Sequence, residues 1–243
     1  MYTHLDCIAL RTTKVSDSKN LLSAWTRTHG RLTFSLPAGA GREAHRRRAL
    51  TAPLCTFACE CDIRPGRDIH TVRDLRALPG SLAMQPSPTK TLSAQFIAET
   101  LDILLRRSEP DSALSDYIFD SVDRLGAMTD SRAVAAFHLI FLYQLTHHAG
   151  IAPDLSAWGS GAIFDMRDAC FRNTAPLHAD FIAGKECTAM MTIARADFES
   201  AARLPLDRHA RKLALDKILR YYSIHLTSLG SLKSLEILRS MAD

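Results

Sequence analysis

The first third of the chain alternates apolar and polar residues with a period of two, as half-buried β-strands do. Two apolar segments, residues 20–25 and 32–36, flank a short polar connection that contains Gly30. Glycine supplies the positive φ that a tight turn needs, so these segments predict a β-hairpin with basic residues at its tip. The remaining predicted strands are residues 2–10, 50–63 and 69–77. Such a set of short strands is typical of a small barrel such as the OB-fold.

The hydrophobic period changes to about 3.6 residues after a proline-containing segment at residues 79–90, which we interpret as a linker. Residues 132–149 are apolar on nearly all sides, which predicts a helix at the buried centre of a bundle. Residues 151–190 are rich in glycine, proline and small polar residues, and we expect them to be irregular. The other predicted helices are residues 91–107, 113–128, 208–226 and 232–241, and the predicted N-caps are Asp130 or Ser131, Asp207 and Ser231.

Positive charge is concentrated in the predicted β-domain. Residues 1–80 contain 13 lysines and arginines against 7 aspartates and glutamates, a net charge of +6, whereas the whole chain carries a formal +4. Pro37, Gly39 and Gly41 should end the second hairpin strand, so we expect the following basic run, residues 42–48, to form a mobile loop beside the hairpin tip.

Cations that converge on one track bind a polyanion effectively because they release its counterions. The basic run and the hairpin tip therefore predict a nucleic-acid contact, although a solvated surface run is the alternative interpretation. The candidate DNA contacts are Lys14, Lys19, Arg27, Arg31, Arg42, Arg46, Arg47, Arg48, Arg64 and Arg67.

Aromatic and cysteine residues in the β-domain allow two interpretations each. Trp25 and Phe34 could stack on bases, but their position within apolar runs favours the barrel core. Cys55, Cys59 and Cys61 together with His45 could bind zinc, but a structural zinc site typically has two to four residues between paired ligands in a turn, whereas this Cys-x-x-x-Cys-x-Cys spacing reproduces the alternation of a strand. We therefore expect no metal site and no cofactor.

The chain lacks the sequence motifs of several functional classes. The chain contains no phosphate-binding Walker loop and no nucleophile elbow, so we predict that it is not an enzyme. The longest mostly apolar stretch, residues 133–145, is shorter than the roughly 20 residues of a membrane span, and no secretory signal is recognisable. Scattered cysteines favour a reducing compartment. These features predict a cytoplasmic protein without a membrane partner.

Several blocks along the chain together resemble the bacterial RecO family of recombination mediators. The blocks are residues 10–41, 69–80, 147–155, 164–178 and 219–238. Within them, the resemblance depends on a Thr-Arg-x-His-Gly hairpin at residues 26–30, a Gly-Ile-Ala-Pro-Asp turn at residues 150–154, and a Tyr-Tyr-x-x-His-Leu segment at residues 221–226 followed by Lys-Ser. The blocks occur in the family's order over nearly the whole chain.

The resemblance implies an N-terminal OB-fold, a C-terminal helical domain and a nucleoid-associated location. It also implies binding to single- and double-stranded DNA, ATP-independent annealing of complementary strands, pairing with RecR, recognition of the tail of the single-strand-binding protein, and help in loading the RecA recombinase. Some members carry a four-cysteine zinc site near the Gly-Ile-Ala-Pro-Asp turn. Because this chain offers only Cys170 there, the resemblance predicts that zinc is absent.

The sequence thus predicts a two-domain protein, with an all-β OB-fold barrel at residues 1–80 and an all-α domain at residues 81–243. We expect the helical domain to receive the acidic tail of the single-strand-binding protein in an apolar groove near Arg208, Arg211, Lys212 and Arg220. Two alternatives remain: a helical interaction scaffold whose β-domain binds protein, and a thiol or metal enzyme that uses the three clustered cysteines.

Overall fold

The chain begins with a closed five-stranded barrel in this computed structural model, which describes residues 2–64, 66–81, 87–226, 229 and 232–240. The strand order around the barrel is β1-β2-β3-β5-β4, and only the β3–β5 pair is parallel. The strands are β1 (Tyr2–Lys14), β2 (Lys19–Thr26), β3 (Gly30–Pro37), β4 (Thr56–Asp62) and β5 (Ile69–Ala77). The OB-fold prediction is confirmed, and so is the hairpin, in which Gly30 has a φ of +67°.

Alternate residues of each strand fill the inside of the barrel, as the period-two pattern predicts. Phe34 from β3 and Phe57 from β4 are fully buried there. The other buried residues of this core are Leu5, Cys7, Ala9, Leu22, Ala24, Leu36, Cys59 and Cys61. Cys59 and Cys61 thus face inwards from a half-buried strand, as the sequence predicts.

The basic run after β3 is a helix, α1 (Arg42–Leu50), and the prediction of a mobile loop is wrong. Glu43 in the first turn lies 3.6 Å from Arg46 and 3.8 Å from Arg47, at the i+3 and i+4 spacings that support a helix. At the other end, the Thr51 hydroxyl donates to the carbonyl of Arg47. The preceding proline and glycines end the strand, but the acidic residue in the first turn lets the arginines continue as a helix.

Two helices pack on the barrel and belong to the same compact unit, residues 1–128. They are α2 (Pro88–Leu104), which continues into a short 3-10 helix at Leu105–Arg107, and α3 (Ser112–Ala127). Lys90 Nζ donates to the carbonyl of Gly126 at 2.5 Å and so joins the start of α2 to the end of α3. The change from strands to helices falls between Ala77 and Pro88, close to the predicted boundary at residue 80, whereas the compact unit extends to Met128. The division at residue 80 as a functional boundary stays a prediction.

The second compact unit, residues 129–243, is built around α4 (Ser131–His148). Asp130 caps this helix, and its residues Phe137, Leu139, Ile140, Phe141 and Leu142 are fully buried, which confirms the predicted central helix. The other helices are α5 (Lys185–Ala194), α6 (Arg208–His225), which Asp207 caps, and α7 (Lys233–Ser240).

The segment predicted to be irregular contains a small antiparallel sheet in addition to α5. Its strands are β6 (Ile163–Asp165), β7 (Cys170–Arg172) and β8 (Phe181–Ile182), in the order β7-β6-β8. Strands of two or three residues are too short to show a period of two, which is why the sequence pattern does not reveal them. The predicted cap at Ser231, the turn residue Pro65 and residues 82–86 of the predicted linker lie outside the described residues. Among the described helices, none is both long and apolar enough to cross a membrane.

Candidate nucleic-acid interface

The basic helix α1 lies at the same end of the barrel as the turn between β1 and β2. The backbone N–H of Ala38, just before α1, donates to the carbonyl of Ser18 in that turn, and Lys19 pairs with Pro37 across the β2–β3 ladder. On the other side, the Thr12 hydroxyl of β1 lies 3.4 Å from the carbonyl of Thr51, just after α1. The structure therefore brings Lys14 and Lys19, which flank the turn, towards the basic helix.

The arginines of α1 differ in how much of each side chain reaches solvent. Arg42 and Arg48 are exposed, and Arg48 donates to the carbonyl of Gly39 at 3.0 Å. Arg46 is also exposed, and its Nη2 donates to the carbonyl of Leu75 in β5 at 3.2 Å, which fixes the helix to that strand. Arg47 is the most covered, with 20% of its side chain exposed. Arg42, Arg46 and Arg48 are therefore the members of the run best placed to contact a ligand.

The hairpin tip lies at the other end of β3 from α1, so the predicted proximity of tip and basic run is wrong. From Gly30 to Pro37 the strand spans about 23 Å at roughly 3.3 Å per residue. At the tip, Arg27 Nη1 lies 2.5 Å from Asp116 Oδ1 in α3, and its guanidinium lies 4.1 Å from the centre of the Phe119 ring. Arg27 thus contacts a helix of its own unit.

Arg31 is likewise engaged by a helix, through the buried carboxylate of Asp102 in α2. Asp102 is 2% exposed and accepts hydrogen bonds from Arg31 Nη2 at 2.7 Å and from Ser23 Oγ at 2.7 Å. Arg11 Nε lies 3.0 Å from its second oxygen. Burial alone would raise the pKa of Asp102, but the hydrogen bonds from Arg31 and Ser23 and the nearby positive charges outweigh it and lower the pKa. These contacts cover the β2–β3 face near the hairpin tip.

Trp25 and Phe34 are both fully buried, so the core interpretation of these aromatic residues is confirmed. Phe34 faces the inside of the barrel, whereas Trp25 faces outwards and donates from Nε1 to Ser115 Oγ of α3 at 3.1 Å. Neither ring is available to stack on a base in this arrangement.

Arg64 and Arg67, the remaining candidates, lie in the connection between β4 and β5, and both are exposed. Arg64 pairs with Asp62 at 2.6 Å, and this pair lowers the pKa of Asp62. Two exposed arginines of β5, Arg73 and Arg76, were not among the contacts predicted from the sequence. Their spacing of three residues hides that they share a face, because the register of β5 against β4 shifts between them.

The barrel cysteines are buried thiols rather than reactive ones. Burial, with the neighbouring Cys59 thiol as a second cause, raises the pKa of Cys7 well above its usual value and raises that of Cys61 to about 11. A thiol with a raised pKa is a poor nucleophile because little thiolate is present at neutral pH. Within the part of the chain that the structure describes, no group of three or more His, Cys, Asp and Glu side chains is arranged to hold a metal ion.

The second unit contains a mainly apolar pocket of about 270 Å³ between α4, α5, α6 and the small sheet. Lys185 and Glu186 of α5 and His209 and Lys217 of α6 are among its polar lining residues, and Lys217 lies 3.1 Å from Glu186. The pocket lining otherwise includes Tyr143, Phe164, Met166, Ile182, Met190, Leu213 and Tyr221. The predicted basic residues Arg208, Arg211, Lys212 and Arg220 are not part of this lining, and Arg220 instead pairs with Asp180 at 2.7 Å.

A closed five-stranded barrel with exposed cations at its connections places the N-terminal part in the OB-fold class, an architecture that frequently binds single-stranded nucleic acid. Residues 85–236 match the family model described as Recombination protein O C terminal. The chain therefore belongs to the RecO family of DNA repair proteins.

Relatives with the name DNA repair protein RecO align over nearly the whole chain. The protein of Porphyromonas gingivalis is 30% identical over 240 residues, and the alignment covers 97% of each chain. Those of Phocaeicola vulgatus and Bacteroides fragilis are each 28% identical, over 96% and 97% of both chains respectively. The similarity thus extends through the barrel as well as the helices.

Proposed function

We propose that this chain is a recombination mediator that binds DNA through the α1 end of its barrel and anneals complementary strands without ATP. The proposal includes single- and double-stranded DNA as ligands, RecR as a partner, and help in loading the RecA recombinase. Family membership supports the role in repair, and a role without an enzymatic step agrees with the raised pKa of the Cys7 and Cys61 thiols. A cytoplasmic, nucleoid-associated location is part of the same proposal.

The observation that carries the DNA-binding proposal is the set of exposed cations around α1. Arg42, Arg46 and Arg48 are exposed on the helix, and the turn that carries Lys14 and Lys19 lies at the same end of the barrel. Arg27 and Arg31 differ because each is held by a carboxylate of a helix that packs on the barrel, Asp116 of α3 and Asp102 of α2. We therefore assign phosphate contact to the α1 end, and a structural role to the two hairpin arginines.

The test is the salt dependence of single-stranded DNA affinity in the full chain, measured by fluorescence anisotropy. The variant R42Q/R46Q/R48Q should bind more weakly, and the slope of log K against log salt should become shallower by about 0.7 for each lost phosphate contact. Annealing of complementary oligonucleotides should slow in parallel.

The control is R106Q/R132Q/R195Q, which removes the same charge from exposed arginines outside the barrel. It should leave the salt slope unchanged. If the α1 variant and the control behave alike, the phosphate assignment is wrong. If neither binds less DNA than the unchanged chain, the alternative of a barrel that binds protein is favoured.

We further propose that the apolar pocket of the second unit receives the acidic, phenylalanine-ended tail of the single-strand-binding protein. Its apolar walls suit an aromatic side chain, and Lys185 and Lys217 supply cations for carboxylates. This shifts the basic partners of the tail from the residues predicted from the sequence to the two lysines at the pocket.

A labelled tail peptide titrated against the full chain should bind more weakly in K185Q/K217Q and in L213E, and should require its terminal phenylalanine. The matched control is K212Q/R208Q, which neutralises two cations of α6 that do not line the pocket. If the control loses affinity for the peptide and K185Q/K217Q does not, the tail binds near the arginines and lysine predicted from the sequence and not in the pocket.

A further inference from the structure

The outer face of the barrel at β1, β4 and β5 carries an exposed tyrosine next to unassigned arginines. Tyr2 opens β1 and pairs with Asp62 of β4, and Arg73 of β5 pairs with Glu60 of β4. Tyr2 and Arg73 are thus diagonal neighbours across one strand. The guanidinium of Arg73 lies 4.7 Å from the centre of the Tyr2 ring, and Tyr2 is 44% exposed.

A bulge in β5 directs two arginines to this same face. Two steps along β4, from Ala58 to Glu60, lie opposite three steps along β5, from Arg76 to Arg73. The extra residue, Asp74, has a φ of +55°. Partners across a ladder share a face, so Arg73 and Arg76 both point outwards, whereas a regular period of two would turn one of them inwards.

The two carboxylates on this face lie next to basic residues. Asp62 pairs with Arg64 at 2.6 Å, and Glu60 lies 3.9 Å from His4. Arg73 lies over the tyrosine ring, in the arrangement that a cation takes with an aromatic face. A polyanion that approaches the tyrosine therefore meets Arg73, and Asp62, the carboxylate opposite the tyrosine, is already paired with Arg64.

This face is continuous with the basic helix. Arg46 of α1 donates to the carbonyl of Leu75, which lies between the two outward arginines of β5. From Leu75 to Arg73 the chain advances about 7 Å at roughly 3.3 Å per residue. A strand bound at α1 can therefore continue along β5 to the tyrosine.

We propose that Tyr2 and Arg73 form a platform on which a base of single-stranded DNA stacks, next to the phosphate contacts of α1. The inference rests on the proposed function, and it adds a base-contacting site to a surface otherwise assigned only phosphate contacts. Aromatic rings bind any base through its π-face, and the arginine in contact with the ring adds attraction for the adjoining phosphate. The platform favours single strands because a paired base is not free to stack on a protein ring.

The test compares two oligonucleotides of equal length and charge, oligo-dT and an abasic strand, on the full chain. The unchanged protein should prefer oligo-dT. Y2A should weaken oligo-dT binding about 5-fold to 20-fold, in the lower part of the range for loss of one stacked base, and leave abasic binding unchanged. Y2F, which keeps the ring, should retain the preference.

R73Q should weaken the binding of both oligonucleotides and make the salt slope shallower by about 0.7, because it removes a charge rather than the ring. The inference is overturned if Y2A binds oligo-dT like the unchanged protein, or if Y2A loses both strands equally. If R42Q/R46Q/R48Q loses affinity while Y2A does not, only the platform fails. If neither loses affinity, the proposed function fails as well.

Discussion

Asp102 is the residue that most directly joins the helices of the first unit to its barrel. Its side chain comes from α2, yet its partners Ser23, Arg11 and Arg31 come from three different barrel strands. A buried carboxylate costs free energy unless it is paired and hydrogen-bonded, and Asp102 meets both conditions. Asp102 therefore contributes most to the stability of the fold when all three of its partners are present.

Asp102→Ala should destabilise the protein by about 3 kcal/mol, because removing one member of a buried ion pair leaves the others without compensation. Urea unfolding followed by Trp fluorescence measures the change. Asp116→Ala removes an exposed partner of Arg27 and should cost at most about 1 kcal/mol. Equal effects of the two substitutions would contradict the assigned importance of Asp102.

His138 makes the stability of the second unit depend on pH. Burial, with the nearby charge of Arg211 as a smaller cause, lowers the pKa of His138 to about 4. The unfolded chain, with a histidine pKa of about 6.5, binds this proton more readily, so stability should fall as pH drops from about 6.5 towards 4. The loss from this group should approach about 3 kcal/mol. His138→Gln should flatten the stability profile in that window, and an unchanged profile would show that His138 does not titrate as expected.

At this scale the sequence predicted residue types better than their partners. Trp25 and Phe34 were placed in the interior from the apolar runs around them. Arg27 and Arg31 were predicted to contact DNA, and their carboxylate partners were not predicted. These partners lie 89 and 71 residues further along the chain. A single sequence contains no local signal for such distant pairs.

At the scale of elements, the hydrophobic periodicity predicted the long strands and helices correctly. The exception is α1, which is stabilised by charge pairs between neighbouring turns. The prolines and glycines before residue 42 predicted a loop, whereas the spacing of Glu43 to Arg46 and Arg47 favoured α1. The i+3 and i+4 pairs were visible in the sequence and could have identified this helix. The small sheet β6–β8 had no such signal, because strands of two or three residues are shorter than the pattern.

The central helix α4 provides a test of the second unit's core. Phe137 is fully buried and stacks on Phe198, with ring centres 4.7 Å apart, and on Phe141 at 6.0 Å. Phe137→Ala should cost about 3–5 kcal/mol through lost burial and the cavity left behind. Arg132→Ala, on an exposed position of the same helix, should stay within about 0.5 kcal/mol. A thermal unfolding midpoint that F137A leaves unchanged would refute the central position of α4.

At the scale of the whole chain, the position where strands give way to helices differs from the position where the first compact unit ends. The last strand of the barrel ends before residue 80. The helices α2 and α3 that follow still belong to this unit, because their residues Asp102 and Ser115 form hydrogen bonds with side chains of the barrel. The sequence showed where the hydrophobic period changes but not which helices pack against the strands.

A fragment of residues 1–128 should therefore unfold in one cooperative transition, whereas a fragment of residues 1–80 should not. Trp25 is the only tryptophan in either fragment, and its emission reports whether its environment stays apolar. In residues 1–80 the indole loses Ser115 and its cover, so its emission should shift to longer wavelength even without urea. Identical emission from the two fragments would mean that the barrel does not need the helices.

The extra residue at Asp74 has a consequence for how β5 can change during evolution. The extra residue shifts the inward–outward alternation of side chains between Arg73 and Arg76. Both arginines therefore point outwards although three positions separate them. Substitution of Asp74 by glycine or asparagine keeps that spacing and suits the positive φ. Deletion of Asp74 would leave Arg73 and Arg76 two positions apart, and at that spacing a regular strand also directs both side chains outwards. The outward pair is therefore compatible both with the bulge and with a strand shortened by that one residue, so a single gap at this position of an alignment would be compatible with the same surface.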